Sequence, residues 1–293
     1  MAAGPTSLKR TPGALLVIVI ALTCTGALQA PARRIVSLVP AVTEMLFAIG
    51  AGPNVVAVSS YDEFPAEVKA LPKVGALLDP DVERTLALRP DLVVTYGSQT
   101  DLKAQLGRVG IGVFDYRHAG LAGIFLTLDD LGVAVGRTAE ARRLVRDLQQ
   151  ALDGVRARVR GRPRVRTLLV FERDPRALRG IFVSGGRGFL HEMMEIAGAV
   201  NVFADVEREA VQPSLETLIG RAPELILEVR ANGPSDPASI QAEKRAWSAL
   251  TAVPAVRAGR IHLLAGEYLV VPGPRIATAT EALARAIHPE VYR

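Results

Sequence analysis

Cysteine is almost absent: the only one, Cys24, lies within the first thirty residues. That excludes a disulfide-stapled scaffold and any cysteine-based zinc site. Tryptophan is equally scarce, with Trp247 alone, and aromatics make up 5% of the 293 residues. Neither sign of charge dominates. Lys plus Arg number 35 against 30 acids, for +5, and without Lys9 and Arg10 of the first thirty residues the balance is +3. So small an excess, with few stacking rings and no basic block apparent in it, argues against nucleic-acid binding. Catalytic signatures are missing too: there is no P-loop, no G-x-S-x-G and no H-E-x-x-H. The four histidines, His118, His191, His262 and His288, are scattered, so no metal-ligand spacing emerges. His118, just after a strand end, reads as a solvated loop residue rather than a cleft residue.

Long apolar runs are also lacking. The longest, Ala14–Leu22, follows Lys9 and Arg10 and leads into Thr25, Gly26, Ala27 and Ala30. A basic start, an apolar run of nine and small residues at its exit fit a cleaved secretory signal over residues 1–30. A membrane-spanning helix needs about 20 residues. Cys24 offers lipid attachment as the alternative, but Ala21-Leu22-Thr23 is a poor context for it. The expected mature chain is therefore exported and soluble.

What is present is alternation. The runs Ile35–Val39, Val55–Ser59, Leu92–Thr95 and Ile111–Phe114 alternate with helical patterns at Thr43–Ile49, Val82–Leu88 and Leu102–Val109. Short buried runs between amphipathic segments predict a mostly parallel α/β lobe over residues 31–136. Thr138–Val159 then carries Ala141, Leu144, Val145, Leu148, Leu152, Val155 and Val159 on one stripe, with Arg and Gln on the other. It predicts one long helix within 137–161. A second α/β lobe over 162–293 follows, with strands at Thr167–Phe171, Ile181–Val183, Leu225–Val229 and Ile261–Leu264. Its helices are expected near Phe189–Ile196, Leu215–Arg221, Ala246–Val253 and Ile276–Ile287.

The halves resemble each other. Asp81 to Val93 lines up with Ser214 to Ile226 at a constant offset of 133 residues, and Glu44–Gly50 echoes Glu192–Gly198. Two similar lobes joined by a helix leave a cleft, a favoured ligand position. Polar and aromatic residues stand at strand ends facing it in the expected topology: Tyr61 within Ser59–Pro65, Tyr96-Gly97, Phe182 with Ser184, and Glu267-Tyr268. Ser184-Gly185-Gly186-Arg187-Gly188 reads as a tight turn, with an anion cradle as its alternative. Ser184 and His191 are the one candidate nucleophile and base for a secreted hydrolase, without an identifiable orienting acid.

Arg34 to Glu44, Val58-Ser59-Ser60-Tyr61-Asp62-Glu63-Phe64-Pro65, Glu83 ahead of Leu88-Arg89-Pro90-Asp91-Leu92-Val93, and Pro274-Arg275-Ile276 resemble, in order and spacing, the cobalamin and iron-siderophore class of periplasmic binding proteins. The Tyr-x-x-x-Pro segment is most similar to the cobalamin branch. The resemblance implies two Rossmann-like lobes on a single rigid backbone helix, the class III architecture, and a carrier with no catalysis, no cofactor and no resident metal. Its cargo would be a corrinoid or, alternatively, a ferric siderophore or haem. It would act as a monomer, delivering to an ABC importer's permease dimer.

Carried across by position, Tyr61, Tyr96, Phe182, Glu267 and Tyr268 match ligand contacts, and Glu83 and Glu216 match the acids of the two lobe tips that engage the permease. Two positions depart from the cobalamin branch: Leu77 and Ala210 stand where its members carry Trp. Trp247 reads as core. Arg173, Arg187 and Arg275 are expected partners for ligand carboxylates.

Overall fold

A computed structural model describes residues 1–2, 4, 31–234 and 236–293. The expected signal segment and Cys24 lie outside the described residues, apart from its first few. The first sheet contains β1 (Ile35–Ser37), β2 (Val55–Val58), β3 (Leu92–Tyr96) and β4 (Gly112–Tyr116) in the order β2-β1-β3-β4, with every pairing parallel. Between them run α1 (Pro40–Ala48), α2 (Val82–Ala87) and α3 (Thr100–Arg108). Ile35, Val36 and Ser37 are all buried. A strand covered on both faces needs such a continuous run.

Then come α4 (Gly120–Ala134) and the 21-residue α5 (Thr138–Arg158), which pack together. Of the expected stripe, Ala141, Val145, Leu148, Leu152 and Val155 are buried within α5, Leu144 is partly buried, and Val159 is buried just past the helix end. The second sheet combines β5 (Val165–Glu172), β6 (Phe182–Ser184), β7 (Ala199–Asn201), β8 (Ala210–Val211), β9 (Leu225–Arg230) and β10 (Ile261–Ala265). Its order is β10-β9-β5-β6-β8, with β7 beside β5. The helices are α6 (Phe189–Ile196), α7 (Leu215–Arg221), α8 (Pro237–Arg245), α9 (Pro254–Arg257) and α10 (Ile276–Ile287).

One feature of the second lobe was not foreseen, and one expected helix needs correction. β6 runs antiparallel to both β5 and β8, because the hairpin after Glu172 is too short for a helical crossover. The helix placed at Ala246–Val253 begins earlier, at Pro237, where Asp236 caps it by accepting from the Ser239 N–H at 2.8 Å. Only a short 3-10 turn follows at Ala246–Ala249.

The repeat is structural as well. Asp81 accepts from the Arg84 N–H and Ser214 from the Thr217 N–H, capping α2 and α7 identically. Each helix is followed by a non-glycine residue in the left-handed region, Arg89 at φ 46° and Ala222 at φ 45°, again 133 apart. A single apolar core runs from Ile35, Val42 and Met45 through Leu128 and Leu148 to Met193, Leu225 and Leu283. Each sheet buries its other face on a smaller cluster, Val36–Leu106 in the first lobe and Leu168–Trp247 in the second. Prying the lobes apart would expose the shared core at roughly 25 cal/mol per Å². The fold therefore favours a fixed cleft.

Candidate functional site

Three adjoining cavities of about 270, 310 and 210 Å³ follow the junction of the lobes. His118, Phe189 and Val270 line both the first and the second. Pro40 and Val271 line both the second and the third. A larger concavity of about 630 Å³ lies at the end of α5, with four arginines and two glutamates among its lining residues. The cleft is the stronger site because both sheets aim strand ends into it.

Tyr96 and Tyr116 are the last residues of β3 and β4 and are register partners. Their rings meet edge-on with centroids 6.0 Å apart. Tyr116 lies 6.4 Å from His118, and His118 stands edge-on to Phe189 of the second lobe at 5.3 Å. A ladder of four rings thus crosses from one lobe to the other. The Tyr116 hydroxyl and His118 Nδ1 are 3.1 Å apart, and His118 Nε2 is 3.8 Å from Glu209. Burial pushes both phenols above their ordinary value, with the nearby Asp62 charge adding to the effect at Tyr96. Near neutral pH both stay uncharged, and an uncharged phenol pairs an apolar face with a hydrogen-bonding tip. His118 is corrected from a solvated loop residue to a cleft residue, its side chain 29% exposed.

The other expected residues divide. Tyr61 lines the third cavity with Glu44, Phe64 and Glu267 and is 73% exposed, so its ring is free to settle on a ligand. Arg187 lines the first cavity and pairs with Glu207 at 2.8 Å. Ala210 also lines it, whereas Leu77 is partly exposed in a loop. Phe182 is partly buried and lines none of the three cavities, its ring 6.3 Å from that of Phe171, which lines the first. Tyr268 packs on the apolar core, its ring over Gly266.

Gly97 lines none of these cavities. Its N–H bonds the Tyr116 carbonyl, and a Cβ there would stand 3.2 Å from Arg117 Cγ. Ser184 is buried and its hydroxyl donates to the Gly185 carbonyl, while His191 faces Asn201. Ser184 therefore presents no surface to a ligand and makes no pair with His191. The glycine loop is the tight turn: Gly185, Gly186 and Arg187 donate their N–H groups to Glu209, Val206 and Arg208. A Cβ at Gly185 or Gly186 would fall 2.1 Å from a carbonyl oxygen.

Two arginines expected at the ligand are engaged elsewhere. Arg173 is fully buried, bonded to Glu228 at 2.9 Å and Glu243 at 3.0 Å, with the buried Trp247 N–H also on Glu228. Arg275 holds Glu44 bidentately at 2.9 and 2.5 Å and lies 4.0 Å over the Phe64 ring. Tyr116, Phe189 and Glu209 were missed from sequence. Tyr116 alone carried a signal, as the end of a strand.

Among the described residues no three His, Cys, Asp or Glu side chains group to hold a metal, and no helix is long and apolar enough to cross a membrane. The family profile of periplasmic binding proteins matches residues 35–268. The chain is 30% identical over 270 residues to the "Uncharacterized ABC transporter substrate-binding lipoprotein YvrC" of Bacillus subtilis (strain 168), covering 89% of this chain and 82% of that one. It is 33% identical over 226 residues to a vitamin B12-binding protein of Yersinia pseudotuberculosis (serotype O:1b, strain IP 31758), covering 76% and 78%. Its fold matches that of a periplasmic haem-binding protein from Pseudomonas aeruginosa with a TM-score of 0.75 and 25% identity, over 88% and 93% of the two chains. The two-lobed architecture, the cleft and these likenesses agree: the chain belongs to the periplasmic binding protein family, as an extracytoplasmic substrate-binding protein of an ABC importer.

Proposed function

We propose that the cleft carries a corrinoid and presents it to the permease dimer of an ABC importer. The ring ladder Tyr96–Tyr116–His118–Phe189 carries this reading. Its partly exposed members Tyr96 and His118 present ring edges to a fixed trough, backed by the buried Tyr116 and by Phe189 of the second lobe, as a broad, rigid, partly hydrophobic disc requires, and each ring contact is worth about 0.5–1.5 kcal/mol. Tyr61 closes on the exposed side of the disc and Glu267 meets its polar rim. Phe182 and Tyr268 act indirectly, keeping Phe171 and the Gly266 turn in place. The chain's likeness to a vitamin B12-binding protein supports the same ligand. An N-terminal signal is removed near Gln29 to Arg33, leaving a periplasmic monomer rather than one anchored at Cys24.

Haem is the second reading, favoured by His118. An imidazole between two cavities can ligate an axial metal position, and Arg187 at the rim can meet a carboxylate. Calorimetry with cyanocobalamin and with haemin decides between them. A 1:1 isotherm with cyanocobalamin is expected; binding of haemin alone, with a His-ligated absorbance spectrum, would replace the first reading with the second.

A further inference from the structure

The overall balance of +5 hides a local concentration of charge. Residues 137–166 hold ten arginines and three acids, for +7, which exceeds the net charge of the entire chain. All ten arginines are exposed. Arg142, Arg146, Arg156 and Arg160 recur at intervals of four, ten and four residues, which at about 100° per residue keeps them within about 40° of one line along α5 and its end. Across Arg142 to Arg160 that line is about 27 Å long at 1.5 Å per residue.

Pairing leaves part of this charge unneutralised. Arg137, Arg156, Arg158 and Arg164 each contact a carboxylate, from Glu140, Asp153, Glu281 and Glu195. Among the described residues Arg142, Arg143, Arg146, Arg160 and Arg162 have no ion-pair partner. The stripe runs into the 630 Å³ concavity, which Arg156, Arg160, Arg162 and Arg164 line. Two acids also line it, but both are engaged: Glu192 accepts the Leu121 N–H at 2.8 Å and Glu195 holds Arg164 at 3.2 Å. Free guanidinium forks in a wide concavity are suited to bidentate phosphate contacts.

We infer that this face docks on an anionic phospholipid surface. The segment contains no aromatic residue, so it lacks the stacking platform that single-stranded nucleic acid needs and the apolar wedge that would anchor it deeply in lipid. An extended row of unpaired arginines is complementary to a sheet of phosphate headgroups. A carrier whose transporter is embedded in a membrane gains from such weak, reversible adsorption, because the search for the permease then runs along the surface. The attraction is electrostatic, so salt screens it.

The test is co-sedimentation of the mature chain with vesicles of phosphatidylglycerol and, separately, of phosphatidylcholine, alongside calorimetry with pyrophosphate. Binding is expected to phosphatidylglycerol only, and to fade as salt rises toward physiological strength. Replacing Arg142, Arg143, Arg146, Arg160 and Arg162 together by Gln should weaken it more than tenfold while the melting temperature holds. The same five changed to Lys should retain it, which guards against misfolding as the cause of a loss. Equal binding to both lipids, or an unaffected Gln variant, overturns the inference. Saturable pyrophosphate binding without vesicle binding also overturns it, leaving only a small-anion pocket. None of these readouts uses the cleft ligand, so failure here leaves the ligand assignment standing.

Discussion

Arg275, at the start of α10, reaches 231 residues back along the chain to Glu44 of α1 and closes a bidentate ion pair between the two lobes. Glu267 stands 3.9 Å from the same guanidinium, and Phe64 lies beneath it at 4.0 Å. The pair therefore fixes the Tyr61–Pro65 loop against the second lobe. Arg275→Met leaves the Glu44 carboxylate buried without its partner, a loss that costs about 3–5 kcal/mol at such sites. Thermal unfolding should show that drop, and adding Glu44→Gln to Arg275→Met should recover part of it. A double variant no more stable than the single one would refute the compensation.

The same carboxylate sets a pH dependence. Burial raises Glu44 above its ordinary value of 4.5, outweighing Arg275, and raises the buried Asp62 above 3.8. For an acid raised in the folded state, the native protein binds more protons than the unfolded chain between the two pKa values. Stability from these two groups is thus fully present below about 4 and is lost as pH climbs through the raised values. Subtracting the melting curve of Glu44→Gln with Asp62→Asn from that of the parent should show this downward slope in mildly acid solution. A difference that rises with pH would contradict it.

Arg173 gives a contrasting case. It was legible in the sequence only as a charged residue after a strand. Its partners Glu228 and Glu243 lie 55 and 70 residues away, a relationship no local pattern carries. Arg173→Met should destabilise by about 3–5 kcal/mol through the stranded Glu228, yet leave the affinity of the surviving folded fraction unchanged. A selective loss of affinity without destabilisation would return Arg173 to the ligand.

Local signals were read more securely. The α2 and α7 caps and the left-handed Arg89 and Ala222 were implicit in a 133-residue offset, because a cap, an acid and a Pro-acid turn are short-range features. Tyr61, Tyr96 and Glu267 were reachable because strand ends of α/β sheets meet the cleft. Phe189 was not, since an apolar residue at a helix start looks like core until the opposite lobe is in place. Likewise the burial of Ser184 depends on its pairing with Ala210 of β8 and its bond from Asn201, 26 and 17 residues away, which no local pattern carries.

In the cleft, Tyr96→Ala removes a ring held edge-on to Tyr116, whereas Tyr61→Ala removes one free in solution. Each should weaken ligand binding by about 1 kcal/mol, roughly fivefold. Tyr96→Phe should keep most of the affinity if faces and edges dominate, and lose it if the buried phenol donates a hydrogen bond. Calorimetry on the three variants separates these outcomes, and unchanged affinity in both alanine variants would remove the ladder from the site.

Glu83 and Glu216 occupy the second position of α2 and α7, each exposed, each one residue inside a capped helix start. The helix dipole favours an acid there in any protein, so position alone does not separate docking from local stability. Exposed aliphatic residues stand near each of them in the chain. Leu215 and Ile219 flank Glu216 and are each 38% exposed, and Leu78, close before Glu83 in the chain, is 93% exposed. An exposed acid with an exposed aliphatic residue close to it in the chain, on each lobe, suits a docking contact in which charge sets orientation and encounter rate while apolar contacts hold the complex. Glu83→Lys with Glu216→Lys should leave ligand titrations unchanged and abolish importer-dependent uptake into reconstituted vesicles. Each single change should give a partial loss that deepens as salt screens the remaining attraction. Wild-type uptake by the double variant would reduce both residues to helix-start acids.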